Sequence, residues 1–181
     1  MLEISNEYNT DLIVLGTNGA TGERNIIFGS VASSIINMSD VPVLAVPPGG
    51  SPDDIKHITF ATDYHEGDLQ ILQQTINFAR LFEANIEIIH VSEQKSQLDE
   101  IKFRGSRDLV KGETDYEDIS FELKYGSDFF PVMADYLSSK PCSLPVMVRY
   151  KKTFWEKLVE KNHSNEMVFN SNIPLLVLIG D

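Results

Sequence analysis

Seven short apolar runs constrain this chain most. They are DLIVLG (11–16), VPVLAV (41–46), HITFATD (57–63), NIEIIHV (85–91), ISFELKYG (119–126), LPVMVRY (144–150) and IPLLVLIG (173–180). Most are nearly continuous, as suits parallel strands buried on both faces, and ISFELKYG alternates. Helical patterns lie between them. Ile27, Val31, Ile35 and Met38 set one apolar stripe, and Leu69, Leu72, Ile76, Ala79 and Leu81/Phe82 set another. Residues 94–112 read as mostly helical, as do SDFFPVMADYLSS, with Ser127 as cap and its proline near the first turn, and TFWEKLVEKNHSNEMVF. Strands alternating with helices imply βαβ units, right-handed crossovers and an α/β fold with a mostly parallel sheet.

The alternation is complete only after residue 57. From there to the end it predicts five strands and four helices, a full doubly wound domain over 57–181. Residues 1–48 hold only strand, glycine turn, helix and strand, and 49–56, with GGSPDD, read as a linker. The short piece repeats the end of the long one. VPVLAV aligns with IPLLVL, GSVASSIINMSD falls on KNHSNEMVFNSN, and DLIVLG matches LPVMVR across a one-residue deletion. This alignment puts the glycine positions of the first copy near Arg149, Lys152 and Lys161 of the second.

Those glycines stand in LGTNGATGERNIIFGS (15–30): Gly16, Gly19 and Gly29, with Ser30 next. At a strand-to-helix turn glycine lets backbone approach a ligand with no Cβ in the way, and successive N–H groups can cradle an anion. Gly29-Ser30 falls where a helix begins, and unpaired N–H groups and the helix dipole favour phosphate there. The plain alternative is a β–α turn that binds nothing.

The spacing Gly16-x2-Gly19-x9-Gly29-Ser30, after an apolar strand and before a helix and VPVLAVP, resembles the nucleotide signature of universal stress proteins. ITFATD, IIHV and IPLLVL resemble the same family in its tandem form, with the first copy truncated at its N-terminus and the second degenerate. The resemblance implies an adenine nucleotide alpha hydrolase-like fold whose five-stranded sheet is joined by a partial β-α-β unit. It implies ATP, with Mg2+, as ligand: Gly16 and Gly19 beside ribose and phosphates, and Gly29, Ser30 and the backbone of Val31 on the phosphate chain. Asp63 and Val91 are the adenosine contacts if the two halves combine. It implies a regulatory, stress-related role without efficient hydrolysis, and a homodimer, since this family often pairs through its last strand. VPVLAV and IPLLVLI are the two candidate edges. The half-domain is completed in one of three ways: it is the remnant of a truncated protein; it exchanges with another chain; or its strands dock beside 57–62, building a permuted domain with a joined Gly16–Asp63 pocket. A nucleotide-free dimerisation or interaction module is the alternative function.

Charge and composition narrow the classes. A net charge of −12 repels nucleic-acid phosphates and anionic membranes, so neither is an expected partner. The single cysteine, Cys142, excludes an internal disulfide and suits a reducing compartment. No apolar run reaches the roughly 18 residues of a membrane span, and the acidic MLEISNEYNTD is unlike a signal peptide, so the cytoplasm is the expected location. TDYHEGD gathers Asp63, His65, Glu66 and Asp68, either a hard-metal or acid–base cluster or acids complementing a helix N-terminus; no metal is expected, since the resemblance accounts for Asp63. His90 reads as a core or edge residue, His163 as half of a surface pair, and RYKKTFWEK as a solvated basic patch. No Ser/His/Asp or Cys/His set supplies a nucleophile with its base, so no catalytic residue is assigned and no enzyme is expected.

Overall fold

The computed structural model describes residues 2–17, 30–48, 55–65, 67–140, 142–150 and 173–180. All seven apolar runs form strands of one sheet: β1 (Ile13–Gly16), β2 (Val43–Val46), β3 (His57–Ala61), β4 (Asn85–Ser92), β5 (Ile119–Tyr125), β6 (Leu144–Arg149) and β7 (Leu175–Ile179). The helices are α1 (Leu2–Glu7), α2 (Ser30–Met38), α3 (Asp68–Phe82), α4 (Gln97–Glu113) and α5 (Phe129–Ser139). The helix predicted within TFWEKLVEKNHSNEMVF, with His163, lies outside the described residues. α5 starts two residues past Ser127, and Pro131 sits in its first turn, where a missing N–H costs nothing.

The sheet order is β1-β2-β7-β6-β3-β4-β5. Every neighbouring pair is parallel except β2 with β7. Because the central strands are apolar on both faces, their residues alternate between two cores. Ile88, Val146, Leu176 and Leu178 join Ile71, Leu72, Ile76 and Ala79 of α3 and Val110 of α4 on one face. Ile89, Met147, Leu175 and Val177 join Ile35 and Ile36 of α2 and Met133 and Tyr136 of α5 on the other. This is the mostly parallel, helix-covered α/β sheet that the alternation implies.

The antiparallel junction relates the repeated pieces. Leu44 lies opposite Leu176, flanked by Val43 with Val177 and Ala45 with Leu175. Val43 therefore answers to Leu175 and Ala45 to Val177 across a local two-fold, an offset of 132 residues. The parallel partners keep it: Ile13 pairs with Val43 and Val146 with Leu176, each 30 residues apart. No deletion separates the copies. The residue answering to Gly16 is Val148, and Arg149 answers to Thr17. The same offset assigns Lys151 and Lys161 to Gly19 and Gly29, both outside the described residues.

Two sequence expectations are thereby corrected. VPVLAV and IPLLVLI are not edges, because each satisfies the other's backbone; among the described residues the outer strands are β1 and β5. The permuted domain is not formed, because β3 is already flanked by β6 and β4, which leaves no place beside it for β1 or β2.

Candidate functional site

In open α/β sheets ligands bind beyond the C-terminal ends of parallel strands. The β2–β7 junction reverses direction, so this sheet offers two such places at opposite ends. Gly16 closes β1 at one of them. Asp63 and Val91, near the ends of β3 and β4, stand at the other. Three strands separate β1 from β3, a lateral distance of about 19 Å at ordinary strand spacing. The chain does not bring Asp63 and Val91 to the glycine motif.

At the glycine end, Gly16 is exposed, and a Cβ built on it would meet no atom within 4 Å. The Thr17 amide is not available to a ligand, since it donates to the Val46 carbonyl at 3.0 Å. Ser30 opens α2 and Val31 follows, its side chain 68% exposed, so only its backbone can serve a phosphate at the helix start. Gly19 and Gly29 lie outside the described residues.

At the other end, the loop from β3 to α3 is tied to itself. The Tyr64 amide donates to Thr62 Oγ1 at 3.0 Å, and the His65 amide to Asp63 Oδ1 at 3.2 Å and Asp68 Oδ2 at 3.1 Å. Thr62 Oγ1 donates to Asp68 Oδ2, and Tyr150 Oη to Asp68 Oδ1. Both carboxylate oxygens are thus engaged. Burial pushes the Asp68 carboxyl above its ordinary value, although the Thr62 and Tyr150 hydrogen bonds pull it down. Asp68 organises the loop rather than offering a free base.

Tyr150 fills the space beside this loop. Its ring stacks on His65 with centroids 3.8 Å apart, and a Cβ on Gly67 would approach it to 3.2 Å. A Cβ on Gly180 would overlap it. Burial, then Asp68, raises the Tyr150 phenol well above its usual range. In place of the glycines, the sequence alignment pointed to Arg149, Lys152 and Lys161 at this end. Of these, Arg149 instead reaches across the junction and donates to the Ser39 carbonyl after α2. The one sign of Tyr150's role was an aromatic at the end of an apolar strand, among glycines.

His90 is a half-buried strand residue. Its Nδ1 bonds the Thr62 carbonyl at 2.8 Å, and its ring lies 4.0 Å from Tyr64. Cys142 is also structural: burial raises its thiol, and Thr59 donates to Sγ at 3.2 Å. Among the described residues no group of three or more His, Cys, Asp and Glu side chains could hold a metal, and no helix is long and apolar enough to cross a membrane.

Residues 1–47 match the universal stress protein family model. A universal stress protein of Methanocaldococcus jannaschii is 44% identical over 46 residues, which are 25% of this chain and 27% of that protein. In structure, a universal stress protein from Archaeoglobus fulgidus is similar over 99% of this chain and 64% of its own, with a TM-score of 0.71 and 18% identity. A putative universal stress protein from Pseudomonas aeruginosa gives 0.69 and 14% identity, over 99% of this chain and 67% of its own. The chain therefore matches about a quarter of the curated relative and spans under two thirds of the first of these structures. Its opening residues match the universal stress protein family, and its sheet has the universal stress protein fold.

Proposed function

We propose that this chain is a universal stress protein that binds an adenine nucleotide, ATP with Mg2+, at the glycine motif and acts as a regulatory rather than catalytic protein of the cytoplasm. Gly16, Gly19, Gly29, Ser30 and the Val31 backbone take the phosphates. The observation that carries this reading is the contrast across the local two-fold. Among the described residues Gly16 ends β1 with no atom within 4 Å of a Cβ built on it, whereas its counterpart Val148 is buried and the end of that strand is filled by Tyr150. One copy keeps a bare strand end at a helix start, where backbone dipoles favour an anion. The acidic chain needs such a local attraction, since its net charge of −12 opposes ATP.

Isothermal titration of the full chain with ATP and Mg2+ tests it. Saturable binding that Gly29→Glu abolishes is the expected result, because the added carboxylate repels phosphate. No heat at millimolar nucleotide overturns it. Phosphate release above background contradicts the non-catalytic part.

The second reading is a nucleotide-free interaction module, favoured by the distance between Asp63 and Gly16. In either reading the chain is proposed to dimerise, now through the β1 edge, whose Val14 is 60% exposed and which has no outer strand among the described residues. Light scattering on the eluting protein at micromolar concentration should give twice the 20.4 kDa chain mass; a clean monomer contradicts it.

A further inference from the structure

A cavity of about 410 Å³ lies between α4 and the sheet face that carries α3. That volume is within the range of small-molecule sites, roughly 300–1,000 Å³. Phe60, Ile88 and Phe121 from three adjacent strands form its floor, with Leu72 of α3 and Leu109 and Val110 of α4 around it. It borders the β3–α3 loop, whose Asp63, His65 and Asp68 are among its walls, and lies apart from the glycine motif. Gly16 is at the far end of the sheet, Tyr150 is not among its walls, and Val91 packs on the opposite face.

One polar group inside is poorly partnered among the described residues. Tyr64 holds φ at 63°, a left-handed conformation costly for a bulky side chain, which persists only where surroundings enforce it. Its ring lies on His90, and its Oη is buried and makes no well-formed hydrogen bond among the described residues, with the Ser106 hydroxyl the polar side chain beside it. Such a group costs stability unless something pairs with it. Ser106, also lining the cavity, already donates its hydroxyl to the Phe103 carbonyl. Burial, with Asp99 adding to it and Ser106 acting the other way, pushes the phenol up to about 12, so it keeps its proton and can donate.

The wall above is loosely seated. Of the seventeen residues of α4 only Val110 is buried, and Leu98, Ile101 and Leu109 are 59%, 67% and 50% exposed. Of these, Leu109 lines the cavity and has apolar surface left to bury against an occupant. Charge in the apolar interior would be costly. Of the charged linings, Asp63 and Lys102 are exposed, and half-buried Asp68 has both carboxylate oxygens engaged by Thr62 and Tyr150.

We infer that this cavity is a binding site for an uncharged, flat, largely apolar small molecule whose hydrogen-bond acceptor takes the Tyr64 hydroxyl proton. Prodan, an uncharged naphthyl ketone whose emission shifts blue in apolar surroundings, is a suitable probe. Titrated into the full chain, it should give a saturable blue shift. Tyr64→Phe should weaken it about tenfold, the loss of one buried hydrogen bond. Ser106→Trp, which fills the cavity, should abolish it while circular dichroism stays native; Leu109→Trp serves if that variant does not fold. A shift that never saturates, or one undiminished in a folded filling variant, overturns the site. Unchanged affinity in Tyr64→Phe overturns the role of the hydroxyl. Gly29→Glu should leave prodan binding intact, so failure here and failure of the nucleotide reading are distinguishable.

Discussion

The β1–β2 pair and the β6–β7 pair answer to each other across the local two-fold, and they differ at the strand ends. Their registers are identical, and Leu44 and Leu176 face each other on the local two-fold. Yet Gly16 is exposed while Val148 is 8% exposed, and Val14 is exposed while Val146 is fully buried. β6 has β3 on its outer side, and β1 has no described strand there. The neighbour decides: a strand sealed on both sides fills its interior with side chains, whereas an open one keeps room for another group. The backbone register is thus the same in both pairs, while the strand end is exposed at Gly16 and buried at Val148.

The sharpest way to break this comparison is to put the same charge at both positions. Val148→Asp places a carboxylate in the core among Val146 and Leu178, with no partner, and should cost at least about 3 kcal/mol in urea unfolding. Gly16→Asp, at the matching strand end, should stay within about 1 kcal/mol, since the side chain stands in solvent. Equal losses would mean that the β1 end is buried in solution, and would remove the contrast on which the nucleotide reading rests.

Much of this was written in the chain. Apolar runs of strand length and helical stripes between them fix the α/β alternation, because a strand buried on both faces has no other composition available. The register between copies was not legible. DLIVLG and LPVMVR are apolar throughout, so a slip of one residue leaves the pattern almost unchanged, and only the backbone ladder tells Val148 from Arg149. Nor does an apolar run record the direction of its neighbour, which is why the β2–β7 pairing was missed and both strands read as edges. α1 escaped notice because LEISNE shows no stripe; among its described side chains Leu2 packs on the core and Ser5 is buried. In the candidate site, Asp63 and Asp68 stood out as acids in TDYHEGD. The left-handed turn at Tyr64 did not, because tyrosine gives no signal of positive φ.

The smaller effects belong to the seat that Tyr150 closes, and they turn on pH. Asp68 has its carboxyl raised by burial, so the fold prefers the protonated acid more than the unfolded chain does. Its contribution is therefore fully present below the ordinary aspartate range and is lost as pH rises through the raised folded value. Comparing wild type with Asp68→Asn in urea from pH 3 to pH 7 should show the wild type losing ground to the variant as pH rises. Tyr150→Phe removes one of the hydrogen bonds that pull the carboxyl down, so the loss should steepen and run to higher pH. If the wild type instead gains on Asp68→Asn with rising pH, the Thr62, His65 and Tyr150 donors outweigh burial and the loop holds an anion of its own. At the corresponding sequence position the first copy has Asn18 and no phenol. An aspartate held as an anion would put a fixed negative charge beside Tyr150, so that an anionic ligand would be kept from this strand end by repulsion as well as by the bulk of the phenol.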